Sequence, residues 1–95
     1  MTLNLLFALS MRILIEPTFQ RDYVRWKKAG WNMEPLEMFI DDATAHWPLP
    51  SKYEAHPLKG QLQGMWDAHI RQNWVVFFRV EKKAEWFLRL FCLVQ

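Results

Sequence analysis

Histidines are the side chains of this sequence best suited to acid and base chemistry near neutral pH, because both protonation states are accessible there. His56 precedes Pro57, and His69 lies 13 positions further along, in a segment of alternating polar and apolar residues. If the fold brings the two together, one can accept a proton from a substrate while the other donates one. Residue type alone favours a simpler interpretation, in which His56 braces the turn at Pro57 and His69 is an inert polar residue of a strand. The third histidine, His46, we interpret as a loop residue.

Basic residues in the second half of the chain could bind the phosphate groups of a polyanion. The formal net charge of +2 permits a polyanionic partner without requiring one. A single surface cation is usually only solvated, so each of these residues is uninformative by itself. The candidate phosphate-binding residues are Lys52, Lys59, Arg71, Arg79 and Arg89.

The single cysteine, Cys92, cannot form a disulfide bond within the chain. No array of cysteines and histidines has the spacing of a zinc site, so we expect no metal and no other cofactor. We reject Cys92 as a nucleophile, because no histidine is spaced to activate it and a strand cysteine is commonly inert. These features favour a reducing compartment, and we expect a cytoplasmic protein.

The first half of the chain predicts one strand followed by two helices. Residues 12–16 (RILIE) are apolar and partly β-branched between two charged residues, which is typical of a strand, and Pro17 suits the first turn of a helix. Apolar residues then recur at helical spacing as far as Gly30, a natural helix stop. Asn32 is a candidate cap for a second helix, which has one apolar side.

The second half predicts an irregular connection followed by three strands. Three prolines in the segment 46–57 remove backbone donors and favour an extended, ordered loop. Trp74, Val76 and Phe78 would face one side of their strand and other apolar residues the opposite side, which indicates a central strand. The three strands are predicted over residues 65–70, 74–80 and 86–93, as an antiparallel meander.

The element order β-α-α-β-β-β predicts an α+β fold, with two helices packed on one face of a twisted, mainly antiparallel sheet. With 95 residues there is room for one small domain. Residues 1–10 are apolar but lack a basic stretch and are too short to span a membrane. Because Met11 directly precedes the first predicted strand, we expect residues 1–10 to be an N-terminal extension and residues 11–95 to form the domain.

Three segments together resemble a known signature. Residues 53–60 (YEAHPLKG), residues 64–70 (GMWDAHI) and the pair Asn73–Trp74 resemble the centre of the YafQ branch of the RelE/ParE superfamily of type II toxins. The element order agrees as well, from about Met11 to Leu90. The resemblance implies a RelE-like single domain.

The resemblance also implies a function. It implies a ribosome-dependent mRNA interferase, an endoribonuclease that inhibits translation and is held inactive by a cognate antitoxin. The family pattern carries over to His56, His69 and Asn73 as catalytic residues, although the family usually has Asp at the position of Asn73. In RNA cleavage without a metal, the 2′-OH attacks the adjacent phosphorus, which needs a base, an acid and cationic stabilisation. Trp74 could stack on a base, although such a residue is more often part of the core.

The sequence departs from the family pattern near its C-terminal end. The family continues through an Arg, then Thr-Gly-Thr-His, then a Phe that stacks on a base. If the last strand is aligned on its apolar alternation, Cys92 occupies the arginine position, the terminal histidine has no counterpart, and Arg89 is the best remaining cation. An alternative is therefore a catalytically impaired binding module of the same fold, which binds antitoxin or ribosome, or a gyrase-directed relative.

Overall fold

The computed structural model describes residues 11–71 and 73–95, which form a five-stranded sheet with two helices. The predicted extension, residues 1–10, lies outside the described residues. The α+β fold class and the order of the predicted elements are confirmed. The elements are β1 (Arg12–Ile15), α1 (Pro17–Lys28), α2 (Glu34–Ala45), β2 (His56–Pro57), β3 (Trp66–Arg71), β4 (Trp74–Lys82) and β5 (Trp86–Val94), with short 3₁₀ turns at Ser51–Tyr53 and Gly60–Leu62.

Local sequence explains where the helices begin and end. Pro17 occupies the first turn of α1, where its missing N–H costs no hydrogen bond. Gly30 follows α1 with a φ of 91°, a conformation that a residue with a side chain rarely adopts. Before α2, the Asn32 side chain accepts a hydrogen bond of 3.0 Å from the backbone N–H of Glu34. Asn32 thus satisfies a donor at the start of the helix, as a cap does.

The strands follow the order β1-β5-β4-β3-β2, so β4 is central, as its two apolar faces predicted. Strands β3, β4 and β5 form the predicted antiparallel meander, and β1 pairs with β5 in parallel. One part of the prediction was wrong, because the connection over residues 46–57 is not irregular throughout. It ends in the two-residue strand β2, which pairs with β3 and places His56 on the sheet rather than in a loop.

Both helices pack on one side of the sheet, α1 against β5 and α2 against β3. Alternate residues of the central strands are buried beneath them, because neighbouring residues of a strand point to opposite faces. The largest fully buried side chains are Phe19, Leu36, Phe39, Trp74, Val76, Phe78, Leu88, Leu90 and Leu93. We call the opposite side the open face, which carries the half-buried side chains of Asp67, His69, Val75, Phe77 and Arg79.

The pairing of β4 with β5 is interrupted by a β-bulge at Phe91. Phe78 pairs with Leu90, whereas Phe77 pairs with Cys92, so Phe91 has no partner of its own. As a result Leu90 and Leu93 are both buried, although they are an odd number of residues apart. Cys92 lies opposite Phe77 and therefore belongs to the open face.

Among the described residues, no helix is both long enough and apolar enough to cross a membrane.

Candidate active site

Two of the three histidines meet on the open face. His56 on β2 pairs with Asp67 on β3, and His69 lies two residues further along β3, on the same face. The rings of His56 and His69 are nearly perpendicular, with 6.5 Å between their centroids and an interplanar angle of 89°. The structure therefore brings together the two histidines that the sequence analysis proposed as a pair.

A carboxylate accompanies the histidine pair. Oδ1 of Asp67 lies 3.6 Å from Nδ1 of His56, and the two side chains are 23% and 63% exposed. Within the described residues this Oδ1 atom has no hydrogen-bond partner. At 3.6 Å the two atoms are too far apart for a hydrogen bond, but a shortening of about 0.5 Å on substrate binding would let the carboxylate accept one from Nδ1 of His56, as at a catalytic histidine.

The sequence analysis did not include Asp67 among the site residues. A signal for it was present, because Asp67 and His69 are separated by one residue in a predicted strand. Side chains at this spacing share a face of the sheet. What the sequence did not reveal is the pairing of Asp67 with His56, because β2 was not predicted.

The pairing continues across the sheet from the histidines. Asp67 pairs with Phe77 on β4, and Phe77 pairs with Cys92 on β5. The apolar side chain of Phe77 therefore lies between Asp67 and the thiol of Cys92. Burial, followed by the nearby carboxylate of Asp22, raises the pKa of Cys92 above its ordinary value. The thiol is therefore neutral near pH 7 and supplies no charge to the site.

Asn73, the third predicted catalytic residue, lies beside the same surface depression as His69. Asn73 is exposed at the start of the β3–β4 hairpin's second strand, and it lines an open depression together with His69, Val75 and Gln95. Its carboxamide can donate and accept hydrogen bonds but cannot take up a proton near neutral pH. Lys59, also exposed, follows β2 and belongs to the segment that leads from His56 back to β3.

Two predicted phosphate-binding arginines are held in an ion-pair cluster with Glu81. Arg89 makes hydrogen bonds of 3.1 Å to both oxygens of Glu81 and of 2.7 Å to Glu16. These hydrogen bonds raise the pKa of the Arg89 guanidinium above its ordinary value. Arg79 lies 3.6 Å from Glu81 and 5.4 Å from the centre of the Phe91 ring.

The position of Arg89 does not fit its predicted role as a phosphate ligand beside the histidines. Its strand is separated from that of Asp67 by β4, and it pairs with Arg79 rather than with Phe77, so it lies outside the row of Asp67 and on the side away from His69. Its donors already face two carboxylates, so the cluster neutralises its charge locally. Arg79 lies closer to the histidines, because its strand, β4, is next to the strand of Asp67. Its charge, however, is paired with the carboxylate of Glu81.

The prediction that Trp74 could stack on a base is not supported by its position. The side chain is 1% exposed and lies on the helix side of the sheet, where it contacts Trp31 with 5.4 Å between ring centroids. A buried ring offers no face to a base. The simpler interpretation, that Trp74 belongs to the core, is the one the structure shows.

The remaining two predicted phosphate-binding residues lie beyond the end of the open face. Lys52 and Arg71 line an open depression between the start of α2 and the end of β3. Lys52 is 3.9 Å from Asp42, which also accepts a hydrogen bond from the Tyr53 hydroxyl. Lys52 and Arg71 therefore do not belong to the histidine pair itself. In the described part of the chain, no group of three or more His, Cys, Asp and Glu side chains could hold a metal ion.

A comparison with protein-family models connects this geometry with a known family. The model described as "Bacterial toxin of type II toxin-antitoxin system, YafQ" matches residues 11–93. The chain belongs to this family. The match includes the segments of His56 and His69 and all five strands except the last residue of β5.

Curated and solved members of the YafQ family are similar to this chain. The mRNA interferase toxin YafQ of Escherichia coli strain K12 is 39% identical over 36 residues, which are 38% of this chain and 39% of that relative. The match thus spans well under half of the curated relative. The crystal structure of YafQ from E. coli strain BL21(DE3) superposes with a TM-score of 0.79 at 24% identity, covering 90% of this chain and 93% of that one. The E. coli DinJ–YafQ toxin–antitoxin complex gives the same TM-score and identity, covering 90% and 92%.

Membership of the YafQ family sharpens the interpretation of Asn73. The family usually has Asp at this position, which could exchange protons, whereas the carboxamide of Asn73 can only hydrogen-bond. Among the three predicted catalytic residues of this YafQ-family member, His56 and His69 are therefore the two that can transfer protons.

Proposed function

We propose that this chain is the toxin of a type II toxin–antitoxin pair and cuts mRNA on the ribosome, with His56 and His69 as base and acid. The observation that carries the proposal is the meeting of these two rings on the open face, 6.5 Å apart, with Asp67 beside His56. Rings this close can each direct one nitrogen at the same phosphate group lying beside them, at a hydrogen-bond distance of about 2.8 Å.

The reaction needs one proton to leave and one to arrive. The base removes the proton of a ribose 2′-OH, whose oxygen then attacks the adjacent phosphorus. As the bond from phosphorus to the 5′ oxygen breaks, the acid donates a proton to that leaving oxygen. The products are a 2′,3′-cyclic phosphate and a 5′-hydroxyl end, and no metal ion or other cofactor takes part.

The position of Asp67 determines which histidine acts as the base and which as the acid. A carboxylate beside Nδ1 of His56 holds a proton on that atom and leaves Nε2 as the acceptor, and it stabilises the imidazolium that forms. His56 is therefore the base. His69 has no such carboxylate among the described residues, and it acts as the acid that protonates the leaving oxygen. Lys59 and Asn73 stabilise the charge that develops on the phosphate.

A second candidate function is binding without efficient cleavage, and the residues around the histidines favour it. Cys92 is a neutral thiol at the end of the row that contains Asp67, and both nearby arginines are paired with Glu81. Removal of one preorganised electrostatic stabiliser typically lowers a rate by about 10² or more. The chain would then bind the ribosome or an antitoxin and cut slowly.

An antitoxin is the proposed protein partner. The family is one of toxin–antitoxin systems, and its E. coli relative forms a complex with DinJ. Large apolar side chains such as Met38 and Leu62 are about half exposed here, 49% and 51%, and a partner could cover them. Because ribosomes and mRNA are the proposed targets, we propose the cytoplasm as the site of action.

The test is mRNA cleavage on programmed ribosomes, with wild type, His56→Ala, His69→Ala and His46→Ala. We expect each of the first two changes to lower the cleavage rate by about 10²-fold or more. His46 is exposed after α2 and outside the site, so its alanine variant should cut like the wild type.

Co-sedimentation with ribosomes separates the two candidate functions. Wild-type protein that binds ribosomes but cuts no faster than His56→Ala would support the binding module and contradict the nuclease. Cleavage that is unaffected in both site variants would show that other residues carry the chemistry.

A further inference from the structure

The open face does not end at the histidines but continues around the start of β4. The depression beside His69 and a second depression on the helix side share two lining residues, Asn73 and Gln95. The second depression also contains Arg71. The surface is therefore continuous from His69, around Asn73, to Arg71.

A third depression extends this surface further. Arg71 also lines the depression between α2 and β3, where Lys52, 3.9 Å from Asp42, is the second cation. None of the residues described as lining the three depressions is acidic. In the described part of the chain, no carboxylate lies within ion-pair distance of Arg71, in contrast to Arg79 and Arg89. Arg71 is thus a cation available to an anionic ligand.

An aromatic ring lies beside Arg71. Trp31 lines the second depression and is half-buried. Its ring packs against Trp26 and Trp74, with 4.9 Å and 5.4 Å between centroids. These contacts fix the ring from behind, so it would lose little conformational entropy on contact with a ligand. A fixed aromatic ring beside a free guanidinium is the combination with which proteins bind single-stranded nucleic acid.

We propose that Asn73, Arg71, Trp31 and Lys52 form a flanking subsite, which holds the nucleotides next to the scissile phosphate. Trp31 stacks on a base, and Arg71 and Lys52 pair with phosphates. Asn73 hydrogen-bonds to the RNA where the RNA chain passes from the histidines to the helix side of the sheet. The inference rests on the proposed function for the identity of the ligand as RNA. An acidic peptide could use the two cations, but the amide groups and the Trp31 ring match nucleotides better.

Fluorescence anisotropy with uncleavable RNA tests the subsite. The probes are a 2′-O-methyl dinucleotide, which reaches the histidine pair alone, and a 2′-O-methyl hexanucleotide, which also reaches the flanking subsite. Because the 2′ oxygen is blocked, binding is measured whether or not the protein cuts RNA. Failure of the proposed nuclease activity and failure of the subsite are therefore distinguishable.

Trp31→Ala should weaken hexanucleotide binding about tenfold and leave dinucleotide binding unchanged. Because Trp31 also packs on the core, Trp31→Phe is the second variant, and we expect it to restore most of the affinity with a thermal midpoint close to the wild type. Arg71→Gln should reduce the salt dependence of hexanucleotide binding by about 0.7 in the slope of log K against log salt. Arg21→Gln removes an equal charge from the exposed side of α1 and should have no effect.

The proposal is overturned by any of three results. The first is equal weakening of both probes, which would place Trp31 and Arg71 at the histidines or reveal only nonspecific charge. The second is a hexanucleotide affinity that Arg71→Gln leaves unchanged and that Trp31→Ala lowers only because this variant unfolds. The third is a glutamate-rich peptide that displaces the hexanucleotide and loses affinity in Arg71→Gln but not in Trp31→Ala, which would identify a protein ligand.

Discussion

At the scale of single residues, the proposed chemistry depends on Asp67 as much as on the histidines. Asp67 is a positioning residue, because its carboxylate contacts His56 and not the substrate. We predict that Asp67→Asn lowers kcat for ribosomal mRNA cleavage by about 10²-fold or more and leaves KM nearly unchanged, since it disturbs the tautomer of His56 and not RNA binding. Asp41→Asn, on an exposed carboxylate of α2, is the control. A loss confined to KM would contradict the positioning role.

Cys92 gives the second prediction at this scale. It is half-buried on the open face and in the row of His56 and Asp67. An arginine there would supply an additional cation, because the nearby Arg79 and Arg89 are both paired with Glu81. We predict that Cys92→Arg raises the cleavage rate by about tenfold or more. Cys92→Ser, which adds no charge, should leave the rate unchanged, and an arginine variant no faster than the serine variant would refute the prediction.

At the scale of elements, a buried tyrosine links α2 to the connection that leads into β2. The Tyr53 hydroxyl donates to the Asp42 carboxylate, and the Tyr53 ring packs against Phe39 with 5.2 Å between centroids. Burial first, then the hydrogen bond and charge of Asp42, raise the pKa of Tyr53 above its ordinary value. The folded chain therefore favours the protonated phenol.

Tyr53→Phe should lower the free energy of unfolding by about 1–2 kcal/mol, because it removes a hydrogen bond to a charged group. A raised pKa contributes stability that is fully present below the ordinary value of 10.0 and is lost as the pH rises above it. The difference between wild type and variant, measured by urea denaturation, should therefore be constant near neutral pH and shrink above about pH 10. Tyr23→Phe is the control. A difference that grows with pH would contradict the assignment.

The elements also show where sequence reasoning succeeds and where it fails. Long alternating or helical patterns predicted both helices and the three strands of the meander, because burial of one side leaves a strong periodic signal. Strand β2 was missed because two residues, one of them a proline, carry no period. The roles of Trp74 and Arg89 could not be predicted, because they depend on partners from other elements: Trp31 covers Trp74, and Glu81 and Glu16 neutralise Arg89.

At the scale of the whole molecule, charge is distributed unevenly although the formal net charge is only +2. Arg79 and Arg89 are neutralised within the sheet, whereas Arg71 has no carboxylate within ion-pair distance in the described chain. We predict that association with 70S ribosomes weakens as salt increases, because phosphate binding releases counterions. Co-sedimentation across a salt series is the measurement. Arg71→Gln should flatten the dependence and Lys83→Gln, at the opposite hairpin, should flatten it less; a salt-independent affinity would argue against an RNA partner.

The β-bulge at Phe91 determines which side chains at the end of β5 face the site. Thr18 donates a hydrogen bond to the carbonyl of Phe91, so the extra residue is tied to α1. Removing this one residue would leave an uninterrupted alternation, with Leu90 and Leu93 inward and Cys92 between them on the open face. Losing a residue elsewhere in β5 would instead move each side chain that follows to the other side. A codon lost at the bulge would therefore disturb the arrangement of side chains that can reach the RNA less than a codon lost anywhere else in this strand.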